Sequence, residues 1–190
     1  MSLRPVRERA SELLSFGMSK QQVYDHLRVE FPGTKAGKVA ELLRYMPSLE
    51  ARERYGGVHR WLLITIALSA VLRIVHPLLD PGYDWASGAK YVSLVPIATL
   101  LVGWTIYRWQ GQVLVWVGWG NLAGIGSLVK QVPAFVRGDA DPCSLAFAAL
   151  PVAIGVLALV LVYGAFSAYE RRKDPQGGPD IFTFPDERVG

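Results

Sequence analysis

Apolar residues in this chain follow two rhythms. Before Tyr55 they recur every three or four positions, the spacing of one helix face. Between Arg60 and Glu170 they run almost unbroken, and charged residues thin out. The first rhythm predicts small amphipathic helices. The second predicts helices that are apolar nearly all round, as lipid requires.

The N-terminal region reads as three short helices. Val6, Ala10, Leu13 and Leu14 form the stripe of the first, which ends near Gly17. Ser19-Lys20-Gln21-Gln22 has capping-box spacing, with Ser19 as N-cap of a second helix that runs to about Arg28 and buries Val23 and Leu27. Phe31-Pro32-Gly33 breaks it. Thr34 is the expected cap of a third helix, whose stripe is Val39, Leu42, Leu43 and Met46 and which Pro47 ends. The following SLEARERYGGVHR reads as a charged linker with Gly56-Gly57 as its joint.

A span needs about 20 apolar residues. Four stretches qualify: 61–79, 91–109, 113–129 and 145–169. The expected fold is therefore all-α, a four-transmembrane-helix bundle (58–169) behind a three-helix cytoplasmic module (1–57). A flexible cytoplasmic tail (170–190) follows. Its one apolar patch, Ile181 to Phe184, lies between Pro179 and Pro185 and reads as loosely attached chain, with a strand or linear motif that docks on a partner as the alternative.

Composition agrees with a bilayer. Half the residues (51%) are hydrophobic and 19% are charged, below the roughly 25% of soluble domains. Lys and Arg near the span ends set the orientation. Arg44, Arg52, Arg54, Arg60, Arg108, Arg171, Arg172 and Lys173 lie on the side of the N-terminus, against Lys90, Lys130 and Arg137 opposite. That bias places both termini in the cytoplasm and suggests a bacterial inner membrane. The net charge of +4 is explained by this topology before any nucleic-acid partner is needed.

Helices in lipid are held by close backbone approach and hydrogen bonds. Gly120, Gly124 and Ser127 recur at helical spacing in the third span and are the expected packing surface, within the monomer or in a homo-oligomer. Pro96 and Pro151 are expected to kink the second and fourth spans. Arg73 is the costly residue of the first span, and His76 and Asp80 share its face. Arg73 snorkels outward in the simpler reading. In the functional one, Arg73, His76, Asp80 and Asn121 line a polar route through an oligomeric pore or transporter.

Catalytic chemistry has little to stand on. His26, His59 and His76 form no pair at metal-ligand spacing, Cys143 is the single cysteine, and no Walker loop, GxSxG or HExxH occurs. Neither a cofactor nor a metal is expected, and the chain reads as non-enzymatic.

The run from Gly17 through Leu27 resembles the opening of a bacterial helix-turn-helix, which would put Lys35, Lys38 and Arg44 on the exposed side of the third helix. The connection from Arg28 to Thr34 is longer than the usual turn of about 3–4 residues. Residues 1–57 hold ten Lys and Arg against seven Asp and Glu, a net of +3 that is modest for phosphate binding. A membrane-tethered DNA-binding regulator is thus the third reading. The leading one is a membrane protein whose N-terminal module binds a cytoplasmic protein partner through Lys35, Lys38 and Arg44.

Overall fold

The computed structural model describes residues 3–79, 97–140, 142–166, 168–173 and 180–185. Among them are eight helices and one two-stranded sheet. The helices are α1 (Arg4–Ser15), α2 (Lys20–Glu30), α3 (Ala36–Arg44), α4 (Leu49–Leu79), α5 (Ile97–Tyr107), α6 (Gly111–Leu122), α7 (Ile125–Val136) and α8 (Pro142–Ala165). The strands are β1 (Glu170–Arg172) and β2 (Ile181–Thr183). The chain divides into two compact units, one of Met1–Gly56 with Leu161–Gly190 and one of Gly57–Val160.

In the first unit the capping chemistry largely follows the sequence. Val6, Ala10, Leu13 and Leu14 are buried along α1. Gly17 ends it at φ +81°, with its N–H on the Leu14 carbonyl and that of Met18 on the Leu13 carbonyl. This is the six-to-one and five-to-two bonding of a Schellman stop, where glycine carries no Cβ penalty. Ser19 and Gln22 form the expected reciprocal box, at 3.3 Å and 3.0 Å. Thr34 does not cap α3. Lys35 holds the N-cap position without a side-chain bond. Thr34 is instead buried, and its carbonyl accepts from the Arg28 guanidinium at 3.0 Å.

The linker expected after Pro47 is helix. Ser48 Oγ accepts the Ala51 N–H at 3.2 Å and starts α4, which continues through Gly56 and Gly57 to Leu79. Each glycine costs about 1 kcal/mol in a helix interior. Good helix formers on either side carry the helix across them.

The C-terminal segment returns to this first core. β1 and β2 pair antiparallel, with Arg171 opposite Phe182. Strand alternation turns Phe182 inward between exposed Ile181 and Thr183, and Phe184 follows it in. Both are buried in the same cluster as Val23, Tyr24, Leu27, Val39 and Leu43. Tyr24 lies 6.2 Å from the Phe182 ring and 6.0 Å from that of Phe184. Tyr169 closes the group at 5.5 Å and 5.9 Å. The Phe184 N–H donates to Gln21 Oε1 at 2.9 Å. What composition marks as loose tail supplies two side chains to the core of the module.

The second unit corrects the expected four-span bundle. Among the described residues two helices, over Leu49–Val75 and Pro142–Ala165, are long and apolar enough to cross a membrane. The third expected span is broken: α6 and α7 are bent by 41° and would count as one further span only if taken together. At 12 residues each, they reach about 18 Å singly, against a hydrocarbon core of about 30 Å. In the second expected span the described helix α5 covers 11 residues, and residues 91–96, with Pro96, lie outside the described ones. The break in the third span has a local cause. The Gly124 N–H bonds the Asn121 carbonyl in a tight three-residue step, and a normal helix restarts at Ile125. The loop expected after Val129 is helical to Val136. Helix α8 runs from Pro142 to Ala165 with Pro151 inside it. The chain is thus a helical, membrane-associated protein, with two such helices among the described residues, or three with the bent pair.

Close contacts within this unit use small residues. Gly103 leaves room for Ile66, and Gly118 faces Gly155. The turn from α5 to α6 holds Trp109 at φ +55°, a backbone state that side chains rarely adopt. His59 secures that turn: its ring stacks on Trp109 at 4.0 Å and its Nε2 bonds the Ile106 carbonyl at 2.9 Å.

Candidate functional site

An open cleft of about 740 Å³ lies in the first unit, between the start of α3 and the C-terminal hairpin. Its floor comes from Pro32, Gly33, Thr34, Ala36 and Gly37, and Phe182 and Tyr169 supply aromatic wall. Gly37 lies close under the Phe182 ring, where an added Cβ would stand 3.4 Å from it. The charged lining is Arg28, Lys35, Lys38 and Arg171 against Glu41 and Asp180, so cations exceed carboxylates by two.

Those cations are not equivalent. Arg28 is committed to the Thr34 carbonyl at 3.0 Å. Arg171 Nη2 and Nε both reach Asp180 Oδ2, at 2.6 Å and 2.9 Å, and this pair fastens β1 to the residue before β2. Lys35 and Lys38 are exposed, and neither makes an ion pair among the described residues. They flank the first turn of α3, whose N-terminus carries no side-chain cap. Its early N–H groups add partial positive charge to that of the ammonium groups.

The chain matches no protein-family model, no curated protein and no solved structure. Its chemistry rests on its own geometry.

The residues singled out by sequence separate. Lys35 and Lys38 come together in the cleft, whereas Arg44 sits at the far end of α3, over the Tyr45 ring at 5.4 Å. Arg73 is exposed on α4. His76 belongs to the same helix, and Asp80 lies outside the described residues, so no polar cluster of the three is described. Asn121 Nδ2 donates to the Val117 carbonyl of its own helix at 2.8 Å, so this bond is local and does not tie two helices.

Of the expected packing residues, Gly124 stands near Pro151. Gly120 and Ser127 are exposed, and nothing lies within 4 Å of a side chain built at Gly120. The close approach falls two residues earlier, at Gly118. Among the described residues no group of three or more His, Cys, Asp and Glu could hold a metal ion.

Sequence reasoning passed over Arg28, Tyr169, Arg171 and Phe182 as site residues. The signal present was the alternation in Ile181-Phe182-Thr183-Phe184, which is that of a half-buried strand.

Proposed function

We propose that this protein is a non-enzymatic docking protein of a bacterial inner membrane. Its N-terminal helical module binds a cytoplasmic protein partner. The observation that carries the reading is the shared core. Side chains from α1–α3 pack with Phe182 and Phe184, while the apolar helices lie between them in sequence.

One water-side core can hold both ends of a chain only if the chain crosses the bilayer an even number of times. Both ends then lie on one face. Arg44, Arg52, Arg54 and Arg60 at one end of the apolar region and Arg171, Arg172 and Lys173 at the other favour the cytoplasm for that face. A folded unit with an open, net cationic cleft and apolar helices to anchor it suits capture of a partner at the membrane.

The test uses the full chain in sealed membrane vesicles of both orientations. Protease added outside is expected to cut epitopes at both ends in inverted vesicles and neither end in right-side-out ones. In the same membranes, crosslinked partner is expected to fall when Lys35→Glu is combined with Lys38→Glu. Cleavage of the two ends from opposite faces sinks the topology, and undiminished crosslinking sinks the docking surface.

A further inference from the structure

We propose that the cleft at the start of α3 takes an acidic peptide segment of the partner, and that it is complete only while the C-terminal hairpin is docked. This rests on the docking reading above and deepens it. The occupant follows from the lining. Lys35 and Lys38 form no ion pair among the described residues and lie beside the uncapped first turn of α3. A compact, highly charged phosphate compound would meet Glu41 and Asp180 in the same space. A peptide spreads its carboxylates and can set an apolar side chain against Tyr169 and Phe182.

Completion by the hairpin follows from who supplies the walls. Tyr169, Arg171, Asp180 and Phe182 all come from the C-terminal segment. That segment is held at a second place outside the cleft. Phe184 packs on Tyr24, and its N–H is bound by Gln21, on residues that do not line the cleft. Releasing Phe184 therefore removes one wall without touching a lysine. By linkage, an occupant that touches both walls must in turn hold the hairpin down.

Full-length protein in nanodiscs is titrated with a labelled synthetic peptide of alternating glutamate and tyrosine. A peptide with glutamine for glutamate serves as control. The glutamate peptide is expected to bind, weaken with added salt, and lose about tenfold affinity in the Lys35→Ala/Lys38→Ala variant. Phe184→Ala is expected to weaken binding by a similar factor with both lysines present. Gln21→Ala, which removes only the backbone clasp, does the same in smaller measure. Hydrogen exchange reports hairpin release in both, and a cooperative melt shows that the module remains folded. Bound peptide slows exchange at 181–184 in the native protein. Arg44→Ala, outside the cleft, binds as the native protein does.

Native affinity in Phe184→Ala and Gln21→Ala, with the hairpin shown to be released, overturns the coupling and leaves the docking reading standing. Equal binding of the glutamine control, or tighter binding of duplex DNA, overturns the acidic-peptide assignment. Unchanged affinity in the lysine variant, together with unchanged crosslinking in membranes, removes the cleft and the docking reading together.

Discussion

Two glycines of the membrane unit show how far single positions can be read from sequence. Gly120 and Gly124 have the spacing of a helix-packing pair, yet the tight contact belongs to Gly118 and Gly155. A Cβ on Gly118 would come within 2.6 Å of Leu159, and one on Gly155 within 3.0 Å of the Gly118 carbonyl. Spacing says that glycines share a face; it does not say which face meets a neighbour. Gly118→Leu is expected to destabilise the protein by about 1–3 kcal/mol, as overpacking does. Gly120→Leu should stay within about 0.5 kcal/mol, as exposed substitutions do. Unfolding of the two variants in the same detergent checks this, and an equal loss in both returns the contact to Gly120. Ser19 is the opposite case. Its capping box forms as the sequence indicates, because both partners lie within four residues and nothing distant competes. Thr34 has the same kind of signal and fails, because its backbone is held by Arg28 and the cap position passes to Lys35.

At the level of elements, the helix-forming periodicity of α1, α2 and α3 is satisfied by an aromatic hairpin as well as by the helices themselves. Tyr24 is the joint between them, and burial raises its phenol pKa above the ordinary 10.0, with Asp25 adding to the shift and Arg28 opposing it. A raised folded pKa means that the ionised phenol is the form the core rejects. The unfolded chain then loses this proton first as pH rises. The stability tied to Tyr24 is intact below pH 10.0 and is lost as pH climbs through the higher folded value. Tyr24→Phe removes the titrating group and should flatten this part of the alkaline limb in a pH series of thermal melts. An identical limb in both proteins would show that Tyr24 does not set it. The long helix α4 carries a different lesson at this scale. Gly56-Gly57 looked like a joint, but a helix capped by Ser48 and rich in good formers runs through it.

For the whole molecule, the decisive fact is that the chain closes on itself. A chain stopped after Lys173 keeps every helix but loses Phe182 and Phe184 from the core of the first unit. Full burial of a phenylalanine is worth about 1.5–3 kcal/mol, so this truncation should lower the stability of α1–α3 by several times RT. Hydrogen exchange in α2 should rise with it. Unchanged protection there would mean that the hairpin rests on the module without supporting it.

Sequence by itself determined the local and the compositional: the amphipathic stripes of α1–α3, the end of α1 near Gly17, the box at Ser19, and an apolar region suited to lipid. These depend on neighbours a few residues apart or on totals. Tertiary structure decided the number of long apolar helices, the contact at Gly118 and the return of Phe182 and Phe184. It also joined Lys35 and Lys38 to Tyr169 and Arg171 and left Arg44 outside. Each of these depends on which distant segment arrives at a surface, and a pattern of period 2 or 3.6 carries no record of that.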